Sequence, residues 1–160
     1  MVKHKIKSKE KIKEVLKYID GTIVFTNGCF DILHQGHIHY LLNAKNYGDY
    51  LIVGLNSDKS IRKIKGENRP IIKEGARSEI IASLYFVNAV ILFDEETPLE
   101  LIKYIQPDIL VKGKDWEEKD IVGADFVNAT GGKVVRISFD VEISTSTIIN
   151  NILDIYKGKE

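Results

Sequence analysis

The chain has 160 residues, 44% of them hydrophobic and 29% charged, with 23 basic and 23 acidic side chains that cancel. That composition suits one ordinary globular domain and argues against a nucleic acid or a membrane surface as the main partner. With the single cysteine Cys29 there is no disulfide framework, no run approaches eighteen apolar residues, and the basic N-terminus lacks the apolar core of a secretion signal; a cytoplasmic protein is expected.

Ile12, Val15, Leu16 and Ile19 recur at helical spacing among lysines, after Ser8 as N-cap. This predicts an amphipathic helix within residues 1–20, packed on a single domain spanning 1–160. "TIVFT" (22–26) reads as a buried strand, and residues from about Gly36 to Tyr47 as a helix with Leu41, Leu42 and Ala44 inward. "YLIVGLN" (50–56) is a second strand, followed over 57–72 by a short helical turn and a loop. A helix over 74–86 has Ile80, Ile81 and Leu84 as its core stripe, and "NAVILF" (88–93) is a third strand. Pro98 suits the first turn of a helix to about Tyr104, with Thr97 as N-cap. A short fourth strand lies in 107–113, a glycine-ended helix in 125–132, a fifth strand in 133–138 and a last helix in 144–158.

Near-continuous apolar strands alternating with helices imply a parallel sheet covered on both faces. The predicted class is therefore α/β: a Rossmann-like, doubly wound, five-stranded parallel sheet. Such sheets bind ligands beyond the carboxyl ends of their strands, where the strand order reverses. "NGCFD", "NSDKS", "KGKDW" and "SFDVEISTST" all fall at such ends.

Three of the four histidines, His34, His37 and His39, crowd the junction between the first strand and its helix. Gly28 permits a tight turn there, and Asn27 and Asp31 are turn-compatible. Gly36 lets the helix begin with its free amides near a ligand, a natural anion site. His34 and His37 are three apart, which puts two imidazoles on one helical face about 5–6 Å apart, able to donate to one phosphate. Other readings stand beside this one. Asp31, His34 and His37 could hold a metal. Cys29 could be a nucleophile, although its neighbours suit a small packed residue. The histidines could also be ordinary loop residues, which is the better reading for His39, two positions past His37. Neither a Walker loop nor GxGxxG is present.

His34-Gln35-Gly36-His37 resembles the HxGH signature of the nucleotidyltransferase superfamily, and "ISTSTII" (143–149) resembles its late serine-threonine motif at the start of the last helix. Together "TNGCFDILHQGH", "LIVGLNSD", "KGENRP", "ILFDEETP" and "DILVKGKDW" resemble the adenylyltransferase branch that makes ADP-heptose from D-glycero-D-manno-heptose 1-phosphate. The likeness runs from about Gly21 to Ile152. In many bacteria that domain follows a sugar kinase; no kinase portion is present in these 160 residues, so a stand-alone form is expected. The glycerol-3-phosphate cytidylyltransferase branch, the second choice, typically has an arginine shortly before the serine-threonine motif. Here "SFDVE" stands in that place.

The resemblance implies a nucleotidyltransferase of HUP type: a sugar 1-phosphate oxygen attacks the α-phosphorus of ATP and pyrophosphate leaves. His34 and His37 would donate to the α-phosphate, with Lys45, two helical turns beyond His37, reaching over the phosphates. Asn27, Gly28, Cys29, Phe30, Asp31 and Gly36 would line the nucleotide site. Lys112, Gly113 and Asp115 would meet the nucleoside, with Trp116 in the pocket or in packing. Ser144, Thr145 and Ser146 would hold the β- and γ-phosphates. Lys65, Arg69 and Arg77 would hold the sugar phosphate and the leaving pyrophosphate. Magnesium would bridge phosphate oxygens, with Asp31 reaching it through water, and no tightly bound zinc is expected. A homodimer without nucleic-acid or membrane partners is the implied assembly. A non-catalytic nucleotide sensor on the same fold would need the binding loops but not both histidines.

Overall fold

The structure, a computed structural model, describes residues 2–114, 117–138 and 143–157. Its elements in chain order are α1 (Lys9–Leu16), β1 (Ile23–Gly28), α2 (Gln35–Lys45), β2 (Tyr50–Asn56), α3 (Asp58–Lys65), α4 (Glu74–Ser83), β3 (Ala89–Phe93), α5 (Leu99–Ile105), β4 (Ile109–Gly113), α6 (Ala124–Ala129), β5 (Lys133–Ile137) and α7 (Thr145–Tyr156). Short 3-10 turns lie at Val2–Lys5 and Glu118–Asp120.

All five strands run parallel, in the order β3-β2-β1-β4-β5. The sheet is doubly wound, as expected. Its order reverses between β1 and β4, which therefore flank the ligand crevice of such a fold.

Side-chain alternation along the strands sorts the core into two layers. Val24, Leu51, Val53, Leu55, Val90 and Val111 pack under α2 and α4 with Leu41, Ala44, Ile81 and Ala82. Phe25, Ile52, Ala89, Ile91 and Leu110 pack under α1, α5 and α6 with Ile12, Leu101, Ile102 and Val127. Tyr40 of α2 crosses the sheet edge, bonding the Thr26 hydroxyl at 2.7 Å and the Val111 carbonyl at 3.1 Å, and so ties α2 to β1 and β4.

Ser8 caps α1, accepting from the Lys11 amide, and Ile12 is its one fully buried residue. Just before it, Ile6 bridges to Val90, which sequence periodicity had not suggested. Three local expectations shift. α3 is a full eight-residue helix capped by Ser57. α4 ends at Ser83, and its inward residues are Arg77, Ser78, Ile81 and Ala82, so Ile80 faces solvent. Pro98, not Thr97, occupies the N-cap position of α5. Gly131, in the left-handed region at φ 88°, follows α6, where such a residue normally stops a helix. Among the described residues no helix is long and apolar enough to cross a membrane.

Candidate active site

A cleft of about 470 Å³ opens above β1 and β4. Its floor is the end of β1 and the turn after it, Asn27 to Asp31, with Lys112 and Gly113 from β4. His37 and Tyr40 come from α2, Lys65 and Arg69 from the end of α3 and beyond, and Thr145 from α7.

The turn after β1 is strained. Phe30 and Ile32 take positive φ values of 44° and 50°, a conformation that a β-branched residue seldom adopts. Asp31 between them supplies the anchor. Its carboxylate accepts from the Ile71 and Ile72 amides, each at 2.9 Å, and from Arg69 Nε at 2.8 Å. Burial alone would raise its pKa, but these donors outweigh that and hold it below the usual carboxylate range. Oδ2 is thus fully engaged by the 69–72 loop, while Oδ1 takes one bond from it. Among the described residues no group of three or more His, Cys, Asp or Glu could hold a metal ion.

Gly28 serves by close approach rather than by a special turn. A Cβ there would lie 2.9 Å from the Phe30 ring. Gly36 is similar: a Cβ would meet the His34 ring at 3.2 Å, so glycine at this point lets the histidine lie flat against the start of α2. His34 is the N-cap residue of α2 and His37 lies in its first turn. Their rings stack, with centroids 3.7 Å apart and 23° between planes, and the Phe30 edge meets His37 at 5.2 Å. Burial lowers the pKa of His34; burial, then His34 and Lys65, push His37 down to about 4. Both imidazoles are therefore neutral near pH 7, and the buried Nδ1 of each has no partner among the described residues. An anionic ligand would supply what the pair lacks. Burial pushes the Cys29 thiol up, which suits a packed wall residue and not a nucleophile. His39 is exposed and points elsewhere.

At the other side of the histidines, Ser144 caps α7 by accepting from the Thr147 amide at 3.1 Å, and its hydroxyl pairs with that of Thr147 at 2.8 Å. Ser144 is thus the cap of α7, its oxygen accepting from the helix. Thr145 lines the cleft and donates to the Asp31 carbonyl, while Ser146 is exposed on the first turn.

Two basic residues do not join the site. Lys45 does follow His37 on the helix, but eight positions at about 1.5 Å each carry it roughly 12 Å away. There its ammonium donates to the Gly48 and Asp49 carbonyls at 2.8 and 3.0 Å, before β2 begins. Arg77 has a fully buried side chain. It donates to the carbonyls of Ile72, Cys29 and Asn56 at 2.8, 2.7 and 2.9 Å, and to Asp58 Oδ1 at 2.8 Å. It fastens the turns after β1 and β2 to α4 from behind and offers nothing to a substrate. Asp115 and Trp116 lie outside the described residues, as do residues 139–142 of the "SFDVE" segment.

The cleft also holds residues that sequence reasoning passed over: Tyr40, Asn56, Ile64, Glu96, Thr97, Pro98, Asp120, Ile121 and Val122. "FDEETP" at the end of β3 was a usable signal, since it lies at a carboxyl strand end. The 120–122 stretch carried none.

The model of the cytidylyltransferase-like family matches residues 25–151, from inside β1 to inside α7. The chain belongs to that family. It is a nucleotidyltransferase by descent as well as by the HxGH and serine-threonine elements that meet at its cleft. It is 57% identical over 150 residues to the bifunctional protein HldE of Campylobacter jejuni subsp. doylei, covering 94% of this chain and 32% of that one. The bifunctional protein HldE of Syntrophotalea carbinolica is 49% identical over 156 residues, covering 96% and 32%. The chain thus spans about a third of the length of these relatives. Among solved structures, the lipopolysaccharide core biosynthesis protein of Thermoplasma volcanium superposes with a TM-score of 0.65 at 35% identity, over 76% of this chain and 99% of that one. Pantoate-beta-alanine ligase of Francisella tularensis shares the fold, at 17% identity and a TM-score of 0.64 over 95% of this chain and 77% of that one.

Proposed function

We propose that this chain transfers AMP from ATP to a sugar 1-phosphate, D-glycero-D-manno-heptose 1-phosphate first among them, giving ADP-heptose and pyrophosphate. The observation that carries the reading is that His37, stacked on His34, meets Thr145 at the start of α7 in one cleft. The choice of acceptor is supported by the sequence likeness to the heptose branch over Gly21 to Ile152. The relationship to a lipopolysaccharide core biosynthesis protein agrees with it.

The attacking phosphate is already ionised near neutral pH, its second pKa being about 6, so the reaction needs no general base. Neutral imidazoles suit this task. They donate hydrogen bonds to the α-phosphate oxygens as charge gathers there, and the bound anion raises their own affinity for protons. The free amides at the starts of α2 and α7 add fixed positive dipole ends, and the Ser146 hydroxyl adds a donor toward the β- and γ-phosphates. Arg69 keeps its Nη2 buried and without a partner among the described residues, beside the exposed Lys65; this pair is suited to the pyrophosphate. Magnesium would be held by the triphosphate, with Asp31 reaching it through water, and would neutralise charge on the leaving group. A homodimer remains part of the proposal on family grounds.

The test is a pyrophosphate-release screen crossing the four common nucleoside triphosphates with heptose, hexose and polyol phosphates. ATP with heptose 1-phosphate is expected to be fastest. Faster turnover of CTP with glycerol 3-phosphate would move the chain to the cytidylyltransferase branch, and tight nucleotide binding without any turnover would make it a sensor.

A further inference from the structure

Lys112 stands out among the basic residues of the cleft. It lies on β4, half-buried in the wall of the cleft, and its hydrogen-bond partner among the described residues is the amide oxygen of Asn27. No carboxylate among the described residues pairs with it. Burial pushes its ammonium down to about 8. A cation partly desolvated in this way gains from an anion that completes it.

Its direction follows from strand alternation. Phe25 and Leu110 are register partners and belong to the layer under α5 and α6. Asn27 and Lys112 lie two residues further along the same strands, so they point to that same side. There Pro98, Ile121 and Val122 wall the cleft. His37 stands with α2 on the opposite side of β1, as the Thr26–Tyr40 bond fixes, and the segment that opens α7 lies against the start of α2, where a Cβ on Gly36 would come within 3.5 Å of Ile143.

Displacement at phosphorus brings the attacking and leaving oxygens roughly into line. On the reading proposed above, which this inference rests on, pyrophosphate leaves toward the α7 amides. The nucleophile must then arrive from the other side. We propose that Lys112, held in place by Asn27, receives the phosphate of the acceptor, which enters the cleft from the α5/α6 side. The family resemblance had implied that Lys112 meets the nucleoside. Lys112 moves no proton in the step: an acceptor phosphate oxygen forms the new bond to the α-phosphorus while the bond to the bridging oxygen breaks, and pyrophosphate leaves with that electron pair.

The experiment compares wild type with Lys112→Met and Lys112→Gln, two neutral replacements of similar length, in case one fails to fold. KM is measured for heptose 1-phosphate. Calorimetry gives the affinity for a non-hydrolysable ATP analogue, and for inorganic phosphate added to the analogue-saturated protein. The expected result is an acceptor KM raised about tenfold or more, phosphate binding weakened alongside, and analogue affinity unchanged. Weakened analogue binding with an unchanged acceptor KM would return Lys112 to the nucleotide, and no change in any quantity would reduce it to a structural residue; either result overturns the proposal. If wild type turns over no phosphorylated acceptor, the adenylyltransferase reading falls. Lys112 is then judged on inorganic phosphate alone: loss of that binding in the variants upholds an acceptor-side anion site, and its persistence removes it.

Discussion

The hydroxyl of Thr145 donates a 2.6 Å hydrogen bond to the main-chain oxygen of Asp31, across 114 positions of sequence. One bond therefore joins the start of α7 to the strained turn that precedes the histidines. Thr145→Val keeps the shape and loses the donor. It is expected to cost about 1 kcal/mol of stability and to lower turnover, because the α7 amides are no longer fixed against His37. Thr145→Ser should keep both. Denaturant midpoints and turnover on the two variants decide it, and undiminished turnover in the valine variant would show that the bond does not align the site.

Ser144 and Ser146 should separate by role. Ser144→Ala removes a cap and is expected to cost about 1 kcal/mol of stability. Ser146→Ala should leave the melting temperature unchanged and weaken ATP more than AMP, which lacks the outer phosphates. Affinities for both nucleotides on each variant, with melting curves, check the assignment; an unaltered ATP-to-AMP ratio for Ser146→Ala would take it out of the phosphate site.

His34→Ala and His37→Ala are each expected to fold and to lose turnover by about a hundredfold or more, the usual cost of one donor to a developing oxyanion. The exposed His39 should tolerate alanine without loss. Lys45→Met should also leave turnover intact, since its ammonium serves the Gly48 and Asp49 carbonyls. A rate loss confined to Lys45→Met would contradict its placement at the far end of α2.

Arg77→Met should fail by instability instead of by chemistry. Removing the guanidinium strands three carbonyls, that of Asn56 fully buried, and the Asp58 carboxylate. Breaking a buried pair by deleting one partner typically costs about 3–5 kcal/mol. Urea unfolding gives the cost directly; a variant of normal stability with a raised substrate KM would instead make Arg77 a binding residue.

The stacked histidines make stability depend on pH. The His37 value of about 4 lies below its ordinary 6.5, and burial lowers His34 as well. The unfolded chain then binds more protons than the folded one between those values. Stability is full above about pH 6.5 and falls as pH drops toward about 4. Asp31, also depressed, adds its loss only as pH falls through the carboxylate range below that window. Urea midpoints between about pH 7 and about pH 5 therefore report the histidines, and His37→Gln should flatten the slope. An equal slope in the variant would mean that His37 titrates normally.

Much of this was legible in one dimension because it rests on local chemistry. Alternating apolar strands and helices could only become a covered parallel sheet, and a parallel sheet places its ligands at carboxyl strand ends. HxGH at the exit of β1 and the serine-threonine run before α7 carried the site for the same reason: a helix start with small residues offers free amides wherever it lies. The side of each basic residue was not legible. Lys45 stood at a credible spacing and Arg77 was implied by the family resemblance, yet one is about 12 Å down its helix and the other is sealed behind the turns it supports. Asp31 reads as a turn residue in the sequence, and only the fold shows its carboxylate anchoring the 69–72 loop, nearly forty positions later. Lys112 and Asn27, 85 positions apart, became one feature only when β1 and β4 paired. Sequence by itself determined the layers, the crevice and the two motifs that meet there. Tertiary structure alone decided which charges face the crevice, because a long flexible side chain takes its partner from whatever the fold brings within a few ångströms.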